Sequence, residues 1–171
     1  MGASDLQRRS DVRRTRLVFA CFCSRGPGFC ETYEGKLDGK ALRQLLERTI
    51  IETADDYYQT DPTQPGHEQW WFQHDNSPQF KSREVQNWIH NQGINVLDFP
   101  PLSPDLNPIE NLWPRVHALI DQTHATSNEA VADAFLAKWP EVPLDLFTDL
   151  AQSMPARIAA VIEANGDATK F

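Results

Sequence analysis

Four prolines fall within nine residues of this chain, Pro100, Pro101, Pro104 and Pro108, and no other feature restricts the fold as tightly. Proline fixes φ and has no amide hydrogen, so this stretch can continue neither a central strand nor a helix interior. It must be a stiff loop. Ile94-Asn95-Val96-Leu97-Asp98-Phe99 reads as a strand leading into it. Beyond it, Ile109, Leu112, Trp113, Val116, Leu119 and Ile120 recur at helical spacing. Asn107 is placed to cap that helix, with Pro108 at its first position and Glu110 at its third, a start resembling a capping box. The loop therefore delivers one carboxylate, Glu110, to a helix start.

A second carboxylate lies upstream, with 34 residues between the two. Trp70-Trp71-Phe72-Gln73-His74-Asp75 reads as a strand ending in an acid, and Asn76-Ser77-Pro78 turns the chain. Phosphoryl transfer assisted by two metal ions needs several hard oxygen ligands on rigid elements. Asp75 and Glu110 are the candidate catalytic and metal-holding residues, with Asn76 and Asn107 as auxiliary groups beside them. Each also has a plain structural reading. An Asp before a turn bonds nearby amides, and a Glu at the third helical position caps. Asp98 and Asp105 flank the same loop and read as turn and cap residues. Residue type alone leaves both readings open.

The rest of the chain alternates strand and helix patterns. Leu17 to Cys23 is a short apolar run that reads as a buried strand. Ser24 to Gly28 reads as a turn, and Phe29 to Glu34 as the hairpin partner. Asp38 is placed to cap a helix carrying Leu42, Leu45, Leu46 and Ile50, and a polar loop is expected from about Thr53 to Glu68. A helix from Ser82 with Val85, Trp88 and Ile89 inward should stop at Gly93. Helices are expected near Ser127 (Val131, Phe135, Leu136 and Trp139 inward), from Leu144 to Met154, and from Pro155 with Ile158, Val161 and Ile162 inward. This order predicts an α/β domain with helices covering a mixed sheet, whose ligands gather at strand ends.

Composition narrows the function. A chain of 171 residues with 40% apolar content can bury one core. It contains no apolar run long enough to span a membrane and no charged-then-apolar opening segment, so no membrane partner and no secretion are expected. Cys21, Cys23 and Cys30 form no paired framework, lack a fourth zinc ligand, and read as small hydrophobes in a reducing compartment. The net charge is −8, yet residues 1–16 carry Arg8, Arg9, Arg13, Arg14 and Arg16 against Asp5 and Asp11. The acidic body is a poor generic binder of nucleic acid. The basic arm reads either as a DNA-contacting or nuclear-targeting segment or as a solvated terminus.

The wording of these segments resembles the catalytic core of mariner-superfamily DDE transposases. Gln73-His74-Asp75-Asn76-Ser77-Pro78, then Val96 to Trp113 with its SPDLNPIENLW, carry the resemblance, and the 34-residue interval is the one usual in that family. Phe19-Ala20-Cys21-Phe22-Cys23 with Gly26 and Gly28 is similar to the family's hairpin, and Ser153 to Ile162 with Gly166, Thr169, Lys170 and Phe171 to its closing segment. The resemblance implies a ribonuclease H-like mixed sheet flanked by helices, with a helical C-terminal tail. It implies cut-and-paste transposition: DNA cleavage and strand transfer with Mg²⁺ or Mn²⁺, acting on transposon ends and target DNA. Asp75 then matches the second metal-binding acid and Glu110 the third. The expected organisation is a basic arm over 1–16, a partial catalytic domain over 17–125 and its helical segment over 126–171.

Two departures from that pattern shape the expectations. The first acid should lie on a central strand before the hairpin, and Asp5 and Asp11 sit in no strand pattern. The expectation is therefore a fold lacking its first strand, marginal in stability and inactive by itself. The alternative is a non-catalytic DNA-binding or protein-interaction remnant, with homodimerisation through the helical tail considered. Phe80 stands where the family often has His, and Pro114 lies four residues after Glu110, so the helix is expected either to kink there or to become regular later. Localisation is expected to be nuclear in a eukaryote and otherwise cytoplasmic.

Overall fold

The computed structural model describes residues 16–98, 100–121 and 126–171. Its scaffold is an antiparallel hairpin, β1 (Arg16–Cys23) with β2 (Gly26–Glu34), in the register Arg16 to Glu34 and Ala20 to Cys30. A bulge lies between Ala20 and Phe22, after which Phe22 faces Pro27 and Cys23 faces Gly26. The turn is thus only Ser24-Arg25, shorter than expected. Pro27 is admitted to the strand because the bulge has already interrupted the ladder beside it.

Side chains alternate across a strand, and here both faces are covered. Phe19, Cys21 and Phe29 pack against a first core of Leu42, Leu45, Leu46, Ile50, Phe72, Phe80, Val85, Trp88 and Ile89. Val18, Ala20, Phe22 and Cys30 pack against a second core of Leu112, Val116, Ile120, Phe135, Trp139, Val142 and Phe147. The unbroken apolar run of β1 therefore reflects two-sided burial. Burial pushes the Cys21 and Cys30 thiols up to about 12, in keeping with cysteines used as hydrophobes.

The first core is built by α1 (Gly39–Tyr57) and α2 (Arg83–Asn91). Asp38 caps α1, accepting from the Ala41 amide at 2.9 Å, and Ser82 caps α2, accepting from Val85 at 3.4 Å. α2 ends as expected at Gly93, with φ of 66°. There the Gly93 amide donates to the His90 carbonyl and that of Ile94 to Ile89, a Schellman closure. α1 runs past Thr53, where a loop was expected. Its last turns are held to the hairpin: Thr53 Oγ1 accepts from the Phe29 amide at 3.3 Å, and the Tyr57 hydroxyl donates to the Pro27 carbonyl at 2.7 Å. These long-range bonds override the polar local sequence.

The two strands expected at 70–75 and 94–99 reduce to a single parallel bridge between Phe72 and Val96. The Phe72 amide donates to Asn95 at 2.7 Å and the Leu97 amide to Phe72 at 2.9 Å. Among the described residues no strand lies between this bridge and β1, so neither edge is extended into a longer ladder. Trp71 is accordingly 57% exposed.

The second core is made by α3 (Ile109–Ile120), α4 (Asn128–Lys138), the short turn Trp139–Glu141, α5 (Leu144–Gln152) and α6 (Met154–Glu163). α3 runs unbroken through Pro114. Its regular part therefore does not begin after Pro114, and the exposed ring leaves the Glu110 carbonyl without its helical donor. Ser127 caps α4, accepting from Ala130 at 3.1 Å, and Trp139 Nε1 reaches back to the Gly28 carbonyl at 2.8 Å. α6 inverts expectation: Ile158 and Ile162 are 48% and 71% exposed, while Arg157 is buried.

Candidate functional site

Asp75 and Glu110 meet in one groove of about 310 Å³. Asn76, Ser77 and Asn107 line it with them, and Pro100 to Pro104 form its other wall. Asp75 follows directly from the Phe72 bridge, so its place depends on that short parallel contact. The Gln73 side-chain amide donates to the Leu106 carbonyl at 2.6 Å, tying the Asp75 segment to the loop before Glu110. Gln73 carried no periodicity signal, and only the tertiary contact reveals it.

Asp75 also fulfils its plain reading, since Oδ1 accepts from the Ser77 amide at 3.2 Å in an Asx-type turn. A carboxylate has about four acceptor positions, so this bond steadies the side chain without consuming it. His74 beside it lies flat on Phe80, with ring centroids 4.1 Å apart and planes at 4°. Phe80 thus buries its ring under His74, whose Nε2 is buried without a hydrogen-bond partner among the described residues.

On the opposite side, Pro104–Leu106 forms a single 3-10 turn, and the Asn107 amide donates to Pro104 at 2.9 Å. Asn107 is extended (φ −113°, ψ 92°) while Pro108 is already helical (φ −60°, ψ −22°). The Glu110 amide donates to the Asn107 carbonyl at 3.1 Å, as at a helix start. Neither bond of the expected reciprocal box forms, since the Asn107 backbone amide goes to Pro104 and the helix start has no side-chain cap bond; instead the Asn107 side-chain amide donates to Glu110 Oε1 at 3.4 Å. Asn107 therefore aims the carboxylate as well as starting the helix. Leu102, with φ of 58° and 99% exposure, forms the outer lip of the loop.

Other candidates fall elsewhere. Asp98 and Asp105 do not line the groove; Asp105 Oδ2 accepts from Thr169 Oγ1 at 3.0 Å, a structural role. Arg16 opens β1 and pairs with Glu34 at 2.8 Å and Asp133 at 3.1 Å, which engages its charge. Arg8, Arg9, Arg13 and Arg14 lie outside the described residues, as do Asp5 and Asp11.

Two exposed carboxylates and two amide side chains on one groove suit a hard cation that keeps much of its shell for water and phosphate oxygens. Among the described residues, no three acidic, His or Cys side chains converge on a common point. The donor set among the described residues fits two ligands of a metal site and supplies no third.

Asp75, three residues beyond the Phe72 bridge, and Glu110, at the start of α3, thus share one groove of an α/β domain. The chain belongs to the DDE superfamily endonuclease family, whose model matches residues 3–131, and it is similar to Tc1-type and mariner transposases. It is 32% identical over 155 residues to the Tcb1 transposase of Caenorhabditis briggsae and, at the same level, to the Tc1 transposase of Caenorhabditis elegans. Each alignment covers 91% of this chain and 54% of the relative, so the chain spans about half the length of these curated relatives. Among solved structures, the catalytic domain of Mos1 mariner transposase superposes with a TM-score of 0.73 at 17% identity, over 96% of this chain and 88% of that one. A pre-cleavage Mos1 transpososome gives 0.75 at 19% identity, over 90% and 45%. These matches establish the ribonuclease H-like fold.

Proposed function

We propose that this chain carries two of the metal-holding carboxylates of a DNA transposase, Asp75 and Glu110, and serves DNA cleavage and strand transfer at transposon ends. The supporting observation is the shared groove, which joins two acids separated by 34 residues in sequence. Mg²⁺ or Mn²⁺ bound there would lower the pKa of an attacking water or hydroxyl and stabilise the leaving oxygen. Asp75 is steadied by its turn bond to Ser77, Glu110 is aimed by Asn107, and Asn76 offers a further amide oxygen beside them. The open groove admits a DNA strand from solvent. Arg8, Arg9, Arg13 and Arg14 are the proposed backbone-contacting residues, because the remaining surface is predominantly acidic.

The reading includes insufficiency of the two acids by themselves, since no third acid joins them among the described residues. The same observation favours the second reading, a non-catalytic DNA-binding or protein-interaction module. Mos1 has been solved as paired-end complexes with DNA, which supports DNA as the partner and a homodimer as the acting form here. No described helix is long and apolar enough to cross a membrane, and a nuclear site of action in a eukaryote follows from the DNA partner. The organisation proposed is the basic arm 1–16, the partial catalytic domain 17–125 and its helical segment 126–171.

Strand-nicking of DNA bearing the element's terminal repeats, in Mn²⁺, tests this. The 171-residue chain should not nick above background, and its Mn²⁺ binding should fall in Asp75→Ala and Glu110→Ala. Nicking by the unmodified chain that disappears in both variants would refute the insufficiency. Mn²⁺ binding indifferent to both substitutions would refute the site.

A further inference from the structure

Arg157 is the sole buried charged side chain among the described residues, with 2% exposure. It lies on α6, the helix that turns Ile158 and Ile162 toward solvent. A helix that hides its arginine and shows its isoleucines reverses the usual partition, and a buried cation persists only where its donors are well used. Here each guanidinium nitrogen donates at 2.7 Å: Nε to Ser153 Oγ, Nη1 to the Asp105 carbonyl and Nη2 to Asn111 Oδ1. The Phe171 ring covers the group, with its centroid 4.8 Å from Cζ. All three acceptors are neutral, and burial lowers the pKa from the ordinary arginine value, although guanidinium stays charged.

What Arg157 holds explains the arrangement. Asp105 and Asn111 bracket the segment Leu106 to Glu110, and Asn111 directly follows Glu110. One planar fork therefore grips both ends of the turn that sets Glu110. Thr169 adds a bond to the Asp105 side chain at 3.0 Å, and Gln73 secures Leu106 from the Asp75 side at 2.6 Å.

We propose that Arg157 is the positioning residue for Glu110, fixing its aim into the groove from the tail helix; this rests on the reading of Glu110 as a metal-holding carboxylate. The tail is then a working part of the site. Lysine keeps the charge but cannot span both acceptors, because only the guanidinium offers donors in a rigid fork.

The test uses the full chain with Arg157→Lys, Arg157→Met and Asn111→Leu. Amide hydrogen exchange is read at Glu110 and Asn111, whose N–H groups bond to the Asn107 and Pro108 carbonyls at 3.1 Å, and Mn²⁺ affinity is read by electron paramagnetic resonance. In Arg157→Lys, exchange at Glu110 and Asn111 should quicken about tenfold or more while α1 and α2 keep their protection. Mn²⁺ affinity should fall about 10- to 100-fold, the loss usual when a group supporting a metal ligand is removed. Protection lost equally in α1 and α2, or Mn²⁺ affinity unchanged in Arg157→Lys, would overturn the proposal. If Arg157→Met does not fold, Asn111→Leu removes one prong and gives the same two readings. Wild-type Mn²⁺ binding that ignores Asp75→Ala and Glu110→Ala defeats the functional reading instead, and local exchange at Glu110 then decides the positioning role alone.

Discussion

Replacing Gly28 with alanine tests how the hairpin is wedged between the two helical layers. A Cβ built there would lie 2.4 Å from Cys21 Sγ, 2.7 Å from Thr53 Cγ2 and 3.0 Å from the Cys21 carbonyl oxygen. Comfortable carbon contacts begin near ~3.5 Å, so the first two overlaps approach an ångström. Cys21 is the bulged residue of β1 and packs against the core that contains Leu45 and Leu46, both without exposure, so relief requires the bulge or that packing to shift. Overpacking of this kind costs about 1–3 kcal/mol, offset by about 0.4–1 kcal/mol from the stiffer unfolded chain. The net loss should be about 1–2 kcal/mol, lowering Tm by roughly 2–8 °C for a chain of this size. Thermal unfolding followed by circular dichroism measures it. Tryptophan fluorescence gives a second signal, because Trp139 donates to the Gly28 carbonyl and follows any shift of the strand. In a Cys21→Ala background the cost of Gly28→Ala should shrink, giving a coupling of about 0.5 kcal/mol or more. Full additivity, or a Gly28→Ala chain as stable as the parent, would show that the close approach is not real.

Two further outcomes concern the same scaffold. The Cys21 and Cys30 thiols are pushed up to about 12 by burial, against an ordinary 9.0, so the folded chain resists their ionisation. Their contribution to stability is complete below pH ~9 and is lost as pH rises from there toward the folded value. Denaturant midpoints measured from pH 7 to 11 should fall above pH 9, less so in Cys21→Ala/Cys30→Ala; a flat profile would contradict the burial. The edges at β1 and at the Phe72 bridge, unpaired in any longer ladder among the described residues, predict a cooperative thermal transition below about 60 °C, within the mesophile range. A calorimetric midpoint above that temperature would show that the open edges cost little.

Much of the scaffold was legible because its signals are local. Asp38, Ser82 and Ser127 cap where short polar side chains precede periodic apolar residues, and Gly93 ends α2 at the one position needing a left-handed backbone. The prolines marked the loop before Glu110 for the same reason, since each acts on its own dihedral. Other elements were misread where the deciding partner is remote. Thr53 to Tyr57 looks like a polar loop until the hairpin supplies bonds that keep it helical. Trp70 to Asp75 has strand composition, yet strand structure requires neighbours, and one bridge is all that forms among the described residues. The tail helix was assigned its apolar face inward, and the three acceptors of Arg157 reversed it.

By itself the sequence determined the hairpin, the helices and the caps at Asp38, Ser82 and Ser127, and it marked Asp75 and Glu110 as candidates. Those properties follow from single residues and short-range periodicity. That Asp75 and Glu110 share a groove, that Gln73 reaches the Leu106 carbonyl, and that a buried arginine from the tail grips the turn before Glu110 were decided by tertiary structure. Hydrogen bonds between residues 33 to 52 positions apart leave no periodic trace in the chain, because each depends on where a distant backbone carbonyl comes to rest after the cores have closed.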